Sequence, residues 1–132
     1  MSFRFLAVLA VCLAPVVAAA EQDPIVGVWA GDIVQGDITF QARVVFVSPR
    51  GGVSRYPTYS CGGILSGDRK GDDYEFTETI TYGGTDEKVQ GCIPGSVHVS
   101  VNGDKLKFVW SGTDKGENIS AEGELRRVKR RR

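Results

Sequence analysis

Ser96-Val97-His98-Val99-Ser100-Val101-Asn102-Gly103-Asp104-Lys105-Leu106-Lys107-Phe108-Val109-Trp110 is the stretch of this 132-residue chain from which its architecture is read. Before Asn102, Val97, Val99 and Val101 alternate with Ser96, His98 and Ser100. After Asp104, Leu106, Phe108 and Trp110 alternate with Lys105 and Lys107. A period of two places one set on a buried face and the other toward water, which is the signature of a half-buried strand. Asn-Gly between two such runs supplies the positive φ that a tight hairpin turn requires. The stretch is therefore a β-hairpin with one apolar face.

The same pattern extends in both directions. Ile38, Phe40, Ala42, Val44 and Phe46 share one face of a strand whose other face carries Thr39, Gln41 and Arg43. Near the C-terminus Ala121, Gly123 and Leu125 oppose Glu122 and Glu124. Glycine is abundant (17 residues) and clusters as Gly51-Gly52, Gly62-Gly63, Gly71-Asp72 and Gly83-Gly84, which read as hairpin punctuation. No window beyond the N-terminus holds a helical period. Eight or nine strands are expected, near 25–33, 37–47, 53–58, 62–66, 73–82, 87–91, 96–101, 105–111 and 119–127. Short strands with frequent turns predict an all-β fold, a small antiparallel up-and-down barrel of calycin-like type or, second, a β-sandwich. A closed barrel has the advantage of leaving no unpaired edge.

The N-terminus has a different character. Arg4 precedes an apolar run from Leu6 to Val17, and Ala18-Ala19-Ala20 precedes Glu21. A positive start, a short apolar centre and small residues at the cut make a signal peptide over 1–20. The run falls short of the roughly 20 apolar residues of a membrane span, and Pro15 interrupts it. Lipid attachment at Cys12 is the rival reading, but Val11 stands where a small residue is needed. The expected domains are thus a leader over 1–20, a β-domain over 21–125 and a basic tail over 126–132, in a secreted or periplasmic protein.

Cleavage removes Cys12 and leaves Cys61 and Cys92. In an oxidising compartment an even pair in a small domain is most simply one disulfide; two buried free thiols are the alternative. Such a bridge closes a loop of about 30 residues and stabilises by roughly 3 kcal/mol in the chain-entropy model.

The formal net charge is zero, yet it is unevenly spread. Arg126, Arg127, Lys129, Arg130, Arg131 and Arg132 crowd the C-terminus, while the body over 21–125 holds nine basic against sixteen acidic residues. A tail of this kind suits an anionic membrane or envelope surface. The acidic body argues against nucleic acid as a partner.

One residue breaks the alternation. In Tyr74-Glu75-Phe76-Thr77-Glu78-Thr79-Ile80-Thr81-Tyr82 the apolar face is Tyr74, Phe76, Ile80 and Tyr82, and Glu78 sits in its middle. A carboxylate there must be paired, hydrogen-bonded or placed at a wet mouth, because an isolated buried charge is very costly. Glu78, Tyr74, Tyr82 and Arg43 form the expected ligand or buried polar site; Arg43, Arg55 or a tyrosine hydroxyl is the expected partner of the carboxylate.

Catalytic constellations are not apparent. His98 is the single histidine and faces the polar side of its strand, and neither a nucleophile elbow nor a phosphate loop occurs. Asp68-x-x-x-Asp72-Asp73 lacks the spacing of a calcium loop and reads as a polar hairpin tip. No cofactor or metal is expected, and no enzymatic activity.

Taken jointly, Ile25-Val26-Gly27-Val28-Trp29-Ala30-Gly31, Tyr56-Pro57-Thr58-Tyr59-Ser60-Cys61-Gly62-Gly63-Ile64-Leu65, Glu78-Thr79-Ile80-Thr81-Tyr82-Gly83 and Gly91-Cys92-Ile93-Pro94-Gly95-Ser96-Val97 carry a family likeness, continued by Leu106–Trp110 and Ala121–Leu125. The chain resembles a bacterial extracytoplasmic β-domain found as small secreted proteins and appended to the outer part of some actinobacterial serine/threonine kinases. The resemblance implies a disulfide-stapled binding or sensing module. Gly27-x-Trp29 also resembles the opening of lipocalin and avidin barrels, with Trp29 as a floor residue. The functional expectation is a non-enzymatic binding module for a protein or small molecule, of inhibitor or immunity type among others. The alternative is a structural envelope protein held to anionic surfaces by its tail.

Overall fold

The computed structural model describes residues 9–13, 22–85 and 91–129. The leader apart from 9–13, the expected strand near 87–91 apart from Gly91, and Arg130, Arg131 and Arg132 lie outside the described residues. Residues 9–13 carry no regular structure, and no described helix is long and apolar enough to cross a membrane.

Eight strands follow in order: β1 Gly27–Gln35, β2 Ile38–Ser48, β3 Gly51–Tyr56, β4 Cys61–Lys70, β5 Asp73–Tyr82, β6 Gly95–Asn102, β7 Lys105–Asp114 and β8 Glu117–Arg127. Each pairs antiparallel with the next, and β8 pairs with β1, so the sheet closes into an up-and-down barrel. The sandwich alternative is thereby set aside. Val97 faces Trp110, Val99 faces Phe108 and Val101 faces Leu106 across β6–β7, as the opening hairpin requires.

Inward positions of successive strands meet in the interior. Ala42, Val44, Phe46, Leu65, Phe76, Val97, Val99, Leu106, Phe108, Ala121 and Leu125 are all buried in one core. Side chains opposite one another across a closed ring of strands fill a barrel of this size.

Gly62-Gly63 is not a turn. Both residues lie within β4, and a Cβ on Gly63 would come within 1.9 Å of the Thr79 carbonyl oxygen of β5. Glycine here permits close approach of two backbones, where composition alone suggested a reversal of the chain. The reversal into β4 is made just before it, by a short 3-10 turn over Pro57–Tyr59.

The two barrel ends differ. One end is closed by residues 22–26, which precede β1. Asp23 accepts hydrogen bonds from the Ile25 amide and the Tyr74 hydroxyl and pairs with Arg69 at 3.2 Å. Tyr74 belongs to β5, which lies across the ring from β1, so this segment spans the floor. Ile25 and Trp29 are fully buried beneath it, and the Trp29 indole N–H donates to the Ile25 carbonyl at 2.9 Å. Arg127, at the end of β8, lies 4.3 Å over the Trp29 ring and donates to the carbonyls of Val26 and Pro24. The other end, ringed by Gln35, Ile38, Tyr59 and Asp114, is open among the described residues.

Candidate functional site

A cavity of about 280 Å³ enters the barrel at the open end. Its walls include Ile33, Phe40, Tyr56, Phe108, Trp110 and Ala121, and Glu78 stands within it. Glu78 is in the middle of β5, paired with Leu65 on one side and Gly95 on the other, and is only 1 % exposed. The alternation that puts Tyr74 and Phe76 inside puts Glu78 inside as well.

What stabilises the carboxylate comes from β3. There Gly52, Ser54 and Tyr56 all point inward, and the Tyr56 hydroxyl donates to Glu78 Oε2 at 2.6 Å. A hydrogen bond to an ionised acceptor is short and strong. Ser54 Oγ and the Trp110 indole also face the carboxylate and favour its charged form, but burial outweighs them and the tyrosine together, so the Glu78 pKa lies above the ordinary carboxylate value. Burial, and then the neighbouring Glu78 charge, push the Tyr56 phenol well above 10, so it remains a donor. Ser54 Oγ is fully buried and has no hydrogen-bond partner among the described residues.

Trp110 reaches this group because two glycines make room. Gly95 faces Glu78 across β5–β6, and a Cβ on it would come 2.7 Å from the indole nitrogen. Gly112 follows Trp110 on the same face of β7, and its Cβ would come 2.4 Å from the indole ring. Contacts that short do not occur, so the ring lies in space that only glycine leaves free. Above it Phe40 meets Tyr56 and Tyr59 edge-on, with centroids 5.9 and 5.4 Å apart.

The rim is tied by the disulfide. Cys61, at the start of β4, is bonded to Cys92 with Cα atoms 6.0 Å apart, within the usual range for such a bridge. Cys92 lines the cavity, and its amide and carbonyl pair with Gly83 and Thr85.

The other residues grouped with Glu78 in the sequence are not part of this site. Tyr74 is buried at the closed end, where its hydroxyl bonds to Asp23; burial, then Asp23, raise its pKa to about 12. Tyr82 faces Gly62 beyond a register shift at Gly62/Gly63 and is 47 % exposed. Arg43 is on the outer wall of β2, opposite Arg55, because odd-numbered positions of that strand face out. Of the partners expected for Glu78, the tyrosine hydroxyl is the one found.

The basic tail also needs correction. Arg126 and Arg127 are the last residues of β8, Arg126 beside Glu124 and Arg127 in the floor. Lys129 stands 3.6 Å from Asp104, and Arg130–Arg132 are beyond the described residues.

Tyr56, Ser54, Trp110 and Phe40 were missed as site residues. Their signal was present in the inward parity of β3 and in the glycines flanking Trp110. His98 lies on the outer wall with Glu75 at Nδ1 and Asp73 3.0 Å from Nε2. No cluster of His, Cys, Asp and Glu among the described residues is arranged to hold a metal ion.

Among the described residues these features define a closed, disulfide-linked eight-stranded barrel with one plugged end and one open, carboxylate-bearing end. Comparison with protein-family models, with curated proteins and with solved structures finds no match.

Proposed function

We propose that this chain is an exported, non-enzymatic binding barrel that takes a small molecule into its open end. The observation that carries the reading is the 280 Å³ cavity with one buried carboxylate among aromatic walls. Ligand sites are concave and mostly apolar, with few convergent polar groups, and barrel mouths are a common place for them. A carboxylate kept inside an otherwise apolar barrel costs stability, so its presence is explained by a role in binding. The leader and the disulfide support an extracytoplasmic location.

Uptake of the neutral fluorescent probe N-phenyl-1-naphthylamine tests this. Saturable one-to-one enhancement is expected for the wild type and is lost in Ala121→Trp, which fills the cavity, with the far-ultraviolet dichroism unchanged. No saturable uptake, or uptake undiminished by Ala121→Trp, would overturn the reading.

The envelope-anchoring alternative now rests on fewer residues, since Arg126 and Arg127 serve the barrel. A truncation after Val128 separates the two. Loss of membrane association with probe uptake intact would favour anchoring by the residues removed.

A further inference from the structure

We infer that the ligand is a small primary ammonium compound, its nitrogen at the Glu78 carboxylate and its apolar body along the aromatic wall. This rests on the reading of the open end as the binding site, and it specifies the ligand's chemistry.

The charge pattern of the cavity comes first. Its ionisable acids are Glu78 inside and Asp114 at the rim, and no lysine, arginine or histidine lines it among the described residues. Nor does any described basic side chain form an ion pair with Glu78; Arg43 and Arg55 are exposed on the outer wall. An anionic ligand would meet like charge in a site of low polarity. A neutral apolar ligand would displace water from the carboxylate and supply no counter-charge in exchange. A cation is the guest that removes the cost of burying Glu78.

The hydrogen-bonding groups then select the kind of cation. The Tyr56 hydroxyl donates to Glu78 Oε2 but brings no charge. A primary ammonium carries three N–H donors and gives a carboxylate both charge and hydrogen bonds. A quaternary ammonium offers no N–H donor. Phe40, Tyr56, Phe108 and Trp110 line the cavity and offer aromatic surface to positive charge and apolar contact to the ligand's body. The body over 21–125, with nine basic against sixteen acidic residues, further favours the approach of cations.

Calorimetric titration with 2-phenylethylammonium, 2-phenylethanol and 2-phenylethyltrimethylammonium at pH 7.5 tests the inference. The primary ammonium is expected to bind at least ten-fold more tightly than either of the others. Glu78→Gln should erase its advantage over the alcohol. Equal affinity for ammonium and alcohol in the wild type, or a preference that survives Glu78→Gln, would overturn it. Lys88, in the segment between Thr85 and Gly91, provides a further control. A ten-fold rise in ammonium affinity on Lys88→Gln would mean that the chain supplies its own cation, which would also overturn it. If the neutral naphthylamine probe still binds while the ammonium shows no preference, only the ligand class is wrong; if neither binds, the site itself is wrong.

Discussion

Glu78 is the residue at which local pattern and burial energetics disagree most. Its place on the apolar face of β5 was legible from alternation, because a strand gives each side chain one of only two directions. Its partner was not legible. Tyr56 is 22 residues away and meets it only because β3, β4 and β5 lie side by side in the barrel. Burial raises the Glu78 pKa, so the folded state binds a proton more readily than the unfolded chain. The protonated form is therefore the one favoured by folding, and stability falls as pH rises from the ordinary carboxylate range through the raised value. Glu78→Gln removes the ionisation and keeps an acceptor for Tyr56. It is expected to stabilise the unliganded protein at pH 7 by about 1 kcal/mol, the lower end of what replacing buried charge yields. The gain should shrink below pH 4, where the wild type is neutral. Urea denaturation of both proteins at pH 3.5 and 7 measures this, and a destabilised variant at pH 7 would show that the charge itself holds the barrel together.

At the scale of elements, β5 and β6 carry a second titrating group on the opposite face. Glu75 faces His98 across the two strands, and Asp73 approaches the other ring nitrogen. A carboxylate at each nitrogen favours the doubly protonated imidazole, so its pKa is raised, first by the Glu75 hydrogen bond. For a base with a raised folded-state pKa the added stability is fully present below about 6.5 and is lost as pH climbs through the folded value. All three side chains are two-fifths exposed, so solvent screening keeps the effect below about 1 kcal/mol. The single histidine makes the titration easy to follow by proton NMR. A His98 midpoint above that of an unfolded control is expected, returning toward it in Glu75→Gln, whereas a midpoint at or below the control would remove the clasp from this account. Strand positions were readable because each has alternation and turns of its own. The Gly62-Gly63 turn was misassigned because glycine marks both chain reversal and backbone contact, and only the neighbouring strand decides between them.

The whole molecule depends on closing a ring, and the first and last strands do it. β1 and β8 share few paired positions, Trp29 with Arg127, Ala30 with Arg126 and Val34 with Glu122. Arg127 strengthens this seam by covering Trp29, by donating to Val26 and Pro24, and by pairing with Asp104 at 3.2 Å. Composition placed it in a surface-associating tail because six basic residues crowd the last seven, although the strand expected over 119–127 already ended on it. Two hydrogen bonds from a charged donor and a cation–π contact together imply that Arg127→Ala destabilises by about 2–4 kcal/mol. Arg127→Lys keeps the charge but not the planar fork, and should recover less than half of the loss. Truncation after Val128 removes Lys129, a 79 %-exposed side chain whose surface ion pair is worth little, and should cost under about 0.5 kcal/mol. The Val128 amide itself donates to the Val28 carbonyl at 2.8 Å, so a cut before it would add a structural loss. Since Arg127 closes the end opposite the cavity, probe uptake by folded Arg127→Ala at low temperature should match the wild type. Denaturation midpoints for the three variants, with the probe titration alongside, separate floor from tail: equal losses from Arg127→Ala and from the truncation would return Arg127 to the tail.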